Sequence, residues 1–208
     1  MSWCFIHGAA RFAAPLVFSL LIAGCASLTP PPGSDAPLPG STRAYQEQIA
    51  LSGRLSVRYQ NNGKDEALHG NFVWTQNMAQ TSVTLLSPLG QTVAQIDVSP
   101  NGASLKQGNE PPRTAADVDA LVQGTLGWPL PIAGLRDWLQ GFAIEAAGMR
   151  VIASPQSPDV ITRDGWRIHY ASWQNETPAP SRPRRIDLER QTAQAGDVAI
   201  RIVIDSWQ

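Results

Sequence analysis

The sequence predicts a mainly β fold of the α+β class: a curved antiparallel sheet whose concave side is covered by two short helices. Three observations lead there. From residue 54 onward, apolar and polar residues alternate with period two through most of the chain, the pattern of strands with one dry and one wet face. The 17 glycines and 17 prolines supply turns at short intervals and argue against a helical bundle. Only two segments near the middle shift to helical spacing. The composition agrees: 43% of residues are hydrophobic and 16% charged, against a usual charged share of about 25%, so the chain has the means to build a core. Lys+Arg 16 against Asp+Glu 17 gives a formal net charge of −1, which excludes the basic balance of a nucleic-acid binder. Two cysteines exclude a disulfide-stapled scaffold.

The elements follow in chain order. Arg11 is the only charge before Asp35 and precedes an apolar run from Phe12 to Ala23. That run of about 12 residues is too short to cross a hydrocarbon core of roughly 30 Å, so residues 1–24 read as a cleaved export signal. It ends in Leu21-Ile22-Ala23-Gly24-Cys25, which resembles a bacterial lipobox and implies that Cys25 becomes a lipid-modified N-terminus. The alternative, cleavage as an ordinary secretory signal, leaves Cys25 an unpaired thiol in an oxidising compartment. Ala26 and Ser27 follow it, with no aspartate to signal retention in the inner membrane, so the expected site is the outer membrane. Residues 26–43 hold five prolines and no apolar periodicity. With Cys25 they read as a tether, reaching at most roughly 60 Å when extended.

A single domain is expected over 44–208. Tyr45, Ile49 and Leu51 suggest a short helix entering the first strand. Leu55, Val57 and Tyr59 then alternate with Arg54, Ser56 and Arg58, and Asn61-Asn62-Gly63-Lys64 makes a hairpin turn. Leu68, Gly70, Phe72 and Trp74 mark the next strand, Val83 and Leu85 a third, and Ser87-Pro88-Leu89-Gly90 a turn before Val93 to Val98. Ser99 to Gly102 turns the chain into a strand at 103–107. Thr114 is the expected N-cap of a helix bearing Val118, Leu121, Val122 and Leu126; a second helix starts near Pro131, carries Leu135, Trp138 and Leu139, and stops at Gly141. Strands resume at Val160 to Thr162, Trp166 to Tyr170, Arg185 to Arg190 and Val198 to Asp205. The total is eight to eleven strands.

Chemistry is sparse. His69 and His169 fall on the polar phase of their strands, and neither lies in a metal-binding spacing. No G-x-S-x-G elbow, S-x-x-K motif or phosphate loop occurs, so neither an enzyme nor a cofactor nor a metal site is expected. Asp117, Asp119 and Asp137 read as caps and solvated charges, and the arginines from Arg182 to Arg190 as a solvated basic stretch. On composition alone, the inward residues fit a packed core better than a cavity, although both demand the same side chains.

The segment Thr125-Leu126-Gly127-Trp128-Pro129-Leu130-Pro131-Ile132-Ala133-Gly134-Leu135-Arg136-Asp137-Trp138-Leu139-Gln140-Gly141 resembles the signature of the LolB family of outer-membrane lipoprotein receptors. Phe72-Val73-Trp74, the Ser87-Pro88-Leu89-Gly90 turn, Ile186-Asp187-Leu188 and a last strand ending in Trp207 support it, with Ser87 standing where the family often has asparagine. The resemblance implies an open, half-closed antiparallel β-barrel with a helical lid, LolA/LolB-like. It also implies a monomer that accepts cargo lipoproteins from the periplasmic carrier LolA and inserts them into the outer membrane. Their acyl chains would lie in a cavity walled by Leu55, Val57, Phe72, Trp74, Val83, Leu85 and Ile96, and by Trp166, Ile168, Ile186, Leu188, Ile202 and Ile204. Leu121, Leu126, Leu135, Trp138 and Leu139 would form the lid, and Leu89 would enter the membrane. The competing expectation is a scaffolding lipoprotein with a filled interior. Three chains of about 15 carbons would be worth some 36 kcal/mol against water, beyond the practical ceiling near 18–21 kcal/mol, so transfer has to run between apolar environments of similar depth.

Overall fold

The computed structural model describes residues 43–126, 130–174 and 181–208. Its main sheet runs through β1 (Ile49–Asn61), β2 (Lys64–Gln76), β3 (Thr81–Leu86), β4 (Thr92–Ser99), β5 (Gly102–Gln107) and β6 (Arg113–Ala115). Helices α1 (Val118–Leu126) and α2 (Ile132–Trp138) follow, then the small hairpin β7 (Phe142–Ile144) and β8 (Arg150–Ile152). The chain returns to the main sheet with β9 (Asp159–Ile161), β10 (Arg167–Gln174), β11 (Arg182–Thr192) and β12 (Gly196–Trp207). The strand order is β6-β5-β4-β3-β2-β1-β12-β11-β10-β9, with every pairing antiparallel. Among the described residues β6 and β9 are the two end strands and do not pair with each other, so the sheet is open, as expected.

Alternation decides which side chains turn inward. Val57, Phe72, Trp74, Val83, Ile96, Ile186, Leu188, Ile202 and Ile204 are all buried, while Arg54, Arg58, His69 and Arg201 face solvent. Asn62 (φ 51°) and Gly63 (φ 73°) take the left-handed conformations that join β1 to β2 in a tight turn. On the wet face, Asp187 accepts from Arg201 Nε at 2.9 Å and from Arg185 Nε at 3.2 Å. Burial pushes the Asp187 carboxyl up, but these hydrogen bonds outweigh it and hold the group below the usual carboxylate range.

Four expectations need correction. Tyr45 to Leu51 is not helical: the period-two spacing of Ile49 and Leu51 prevails, and both join β1 opposite Gln76 and Trp74. Thr114 does not cap α1; it pairs with Ser104 in β6, and Asp117 caps instead, its Oδ1 accepting from the Asp119 amide at 3.0 Å. The strand expected at Arg185 to Arg190 begins earlier, at Arg182, so Arg182 and Arg184, expected in a solvated loop, also lie within β11. The strand count rises to twelve because β6, β7 and β8, three residues each, are too short to display a period.

Under β9–β12 the interior is solid. Trp166, Ile186, Leu188 and Ile204 have no exposed surface, and the Trp166 ring lies 6.4 Å from that of Trp138. Tyr170 stacks on Trp173 at 5.4 Å and donates its hydroxyl to the Trp138 carbonyl at 3.1 Å. Replacing Trp166 by alanine is expected to cost about 3–5 kcal/mol, to be read as a lowered denaturation midpoint with an unchanged m-value.

Candidate functional site

Under β1–β5 the same sheet face is not filled. A cavity of about 260 Å³ is walled by Leu55 and Val57 of β1, Leu68, Phe72 and Trp74 of β2, and Val83 and Leu85 of β3. Val93, Ala94 and Ile96 of β4, Leu105 and Gln107 of β5, and Ile200 and Ile202 of β12 continue the wall. Val122, Leu130, Ile132, Leu135 and Leu139 cover it from the helical side. Gln107 is the one polar lining residue among those described, so the cavity has little hydrogen bonding to offer a polar ligand and no charge to attract an ion. Leu68 and Val93 line it and yet remain 47% and 51% exposed, which places its mouth at that end of β2 and β4. A methylene takes about the volume of a water molecule, roughly 30 Å³, so the resting cavity holds about nine.

The two helices are held very differently. On α2, Arg136 donates to Thr81 Oγ1 at 2.8 Å and to the Gln80 carbonyl at 3.4 Å, and it also bonds the Asn77 carbonyl. Just beyond α2, Gln140 exchanges two side-chain bonds with the Gln46 backbone, at 2.9 and 3.0 Å. Gly141, with φ at +81°, ends this region, and a Cβ there would lie 2.7 Å from the Arg43 guanidinium. That guanidinium donates to the carbonyls of Ser181 at 2.6 Å and Gly141 at 3.3 Å and bonds the Ala153 carbonyl, and burial pulls its pKa down. Residues 43–46 thus strap the end of α2 to the body of the domain. Helix α1 packs by its apolar face, with Val118, Leu121 and Val122 buried. Asp119 Oδ1 ties it to the start of α2, accepting from the Ala133 amide at 3.1 Å. Burial raises the Asp119 carboxyl above its usual range although that amide hydrogen bond opposes it.

A family model described as outer membrane lipoprotein LolB matches residues 47–207. The chain belongs to the LolB family. The outer-membrane lipoprotein LolB of Cupriavidus pinatubonensis is 40% identical over 195 residues, covering 89% of each chain. That of Ralstonia nicotianae is 36% identical over 192 residues, covering 89% of this chain and 90% of its own. Among solved structures, a DUF1329 family protein from Desulfovibrio piger superposes with a TM-score of 0.43 at 7% identity, covering 78% of this chain and 85% of that one.

In this LolB-family domain the structure brings together Leu55, Val57, Phe72, Trp74, Val83, Leu85, Ile96, Leu135, Leu139 and Ile202 around the cavity. It places Trp138, Trp166, Ile168, Ile186, Leu188 and Ile204 elsewhere: they are buried in the solid half, because indole rings from α2 and β10's flank fill that space. Leu121 is buried in the α1 packing and is not part of the lining. The Leu126 side chain, residues 127–129 of the signature, and Cys25 with the tether to residue 42 lie outside the described residues. Leu89 stands 89% exposed at the tip of the turn between β3 and β4. Sequence reasoning left out Leu68, Val93, Ala94, Leu105, Val122, Leu130, Ile132 and Ile200. Leu68, Val122 and Ile200 carried the right alternation or helical spacing; for the small Ala94 no such signal stood out. Placing a larger group there tests the hollow: Ala94→Phe is expected to reduce binding of a fluorescent fatty acid at least tenfold while costing no more than about 1–3 kcal/mol of stability in chemical denaturation.

Proposed function

We propose that the domain takes the acyl chains of lipoproteins from a periplasmic carrier of the LolA type and releases them into the outer membrane. The observation that carries this reading is a cavity lined almost wholly by apolar side chains that opens beside a fully projecting leucine. Val93 and Leu85 line the cavity and flank the turn that carries Leu89 at its tip, so mouth and wedge lie at the same end of the sheet. Cys25, lipid-modified after removal of residues 1–24, anchors the protein, and the proline-rich stretch to residue 43 is its tether. The domain at 44–208 works as a monomer. The scaffolding alternative, which requires a filled interior, finds no support.

The resting cavity accommodates about nine methylenes, which are worth about 7 kcal/mol at roughly 0.8 kcal/mol each. That is enough to receive a chain end and small enough to give it up again. Longer stretches need more room, and helix α1, held by packing and the Asp119 contact, is the piece that moves; α2, pinned by Arg136, Gln140 and Arg43, stays as a wall. Displacing α1 exposes its own apolar face, so cargo replaces a self-contact and the net cost stays small.

Leu89→Glu puts a charge where the wedge meets lipid. The variant is expected to accept lipoprotein from loaded carrier as the parent does and to leave it undelivered, measured by partition of cargo between soluble and vesicle fractions; delivery at the parent rate refutes the assignment of Leu89. A disulfide or crosslink that ties α1 to β5 is expected to lower acyl uptake at least tenfold, whereas one that ties α2 to the turn at 77–80 leaves it unchanged.

A further inference from the structure

On the outer face of the sheet, behind the Leu89 turn, lies a second groove of about 270 Å³. Its floor comes from three neighbouring strands in register: Ser56 of β1 sits opposite His69 of β2 and opposite Arg201 of β12, and Arg54 lies two residues away on β1. Pro88 closes the groove from the turn, and Asn71 Nδ2 donates to the Ser87 carbonyl at 3.4 Å, which ties the turn to the floor. Arg54, His69 and Arg201 line it, and no carboxylate does. Arg54 uses Nε and Nη2 on Asp205, both at 2.9 Å, which leaves Nη1 outside the pair. Arg201 uses only Nε on Asp187, which leaves both Nη nitrogens outside theirs. His69 has no hydrogen-bond partner among the described residues. From residue 64 to 70, β2 has no partner on the side where β3 pairs with it further along, so this corner is uncovered.

We propose that this groove binds the phosphate of a phospholipid headgroup when Leu89 is in the bilayer. The inference rests on the reading of Leu89 as the inserting residue. With a leucine below the interface, the turn and the groove behind it sit in the headgroup layer, roughly 5–7 Å deep on each side. There, free guanidinium nitrogens on adjacent strands meet phosphate oxygens, the geometry arginine serves best. A chain of formal net charge −1 has no general attraction to anionic lipid, so local cations at this corner select the orientation in which the cavity mouth faces the membrane. Wedge and groove then act as two contacts that fix the domain's tilt against the membrane.

The test uses the mature chain from residue 25 with Cys25→Ala, so that no lipid anchor masks binding. Sedimentation is compared on vesicles of phosphatidylethanolamine with phosphatidylglycerol and on vesicles of phosphate-free galactolipid. The parent is expected to prefer the phospholipid vesicles. Arg201→Gln with His69→Gln is expected to weaken that binding by about fivefold or more and to abolish the preference. Asp187 keeps Arg185 as a partner in that variant, so the wet face retains its ion pair. Arg167→Gln, which removes one charge on β10 away from the groove, is expected to bind as the parent does. Equal binding of parent and double variant, an equal loss in Arg167→Gln, or equal binding to both vesicle types overturns the proposal. So does a groove that takes inorganic phosphate, seen as shifts of Arg201 side-chain resonances, while the double variant still binds vesicles normally. If Leu89→Glu binds vesicles like the parent while the double variant does not, the wedge reading fails and the groove stands.

Discussion

Ten strands present one apolar face, and among the described residues two short helices and a small hairpin cover it. An apolar face left in water is unfavourable by about 25 cal/mol per Å², so the cover is obligatory. How well it fits decides everything downstream. Beneath β9–β12, Trp138, Trp166, Tyr170 and Trp173 interlock and the cover is complete. Beneath β1–β5 most wall residues are aliphatic or small, Ala94 and Val83 among them, with Phe72 and Trp74 the aromatic exceptions, and the helices bridge a hollow rather than fill it.

That asymmetry divides stability from function within one sheet. The solid half supplies a rigid frame from which α2 is suspended, through Tyr170 on the Trp138 carbonyl and through the Arg43 and Gln140 contacts that follow the helix. The hollow half gives up packing energy that a hydrocarbon guest returns. A tightly packed interior would be more stable and would exclude the guest; a large permanent void would destabilise the fold by about 24 cal/mol for each Å³. A modest hollow beneath a helix held chiefly by apolar contacts lies between these limits.

The outer face obeys a different rule. Its charges are paired along and across strands, Arg54 with Asp205, Arg167 with Glu189, and Arg185 and Arg201 with Asp187. Such exposed pairs contribute little to stability, about 0–1 kcal/mol each, so their arrangement is free to serve contacts outside the molecule. The corner behind Leu89 is where cationic groups gather without a carboxylate in the groove.

Alternation in the sequence settled which residues turn inward, since side-chain direction in a strand is a local property: Val57, Phe72, Trp74, Ile186 and Ile202 share the inward phase of their strands. The same local reading exposed Leu89, caught between Pro88 and Gly90, and ended the second helix at Gly141. It could not separate cavity wall from solid core. Ile202 and Ile204 occupy equivalent phases of one strand, yet Ile202 borders the hollow and Ile204 is sealed, because that difference depends on which side chains arrive from α2 and β10 across the sheet. The three-residue strands are too short to display a period, and the strap from Arg43 to the end of α2 was decided by partners about a hundred residues away in the chain, where spacing carries no information.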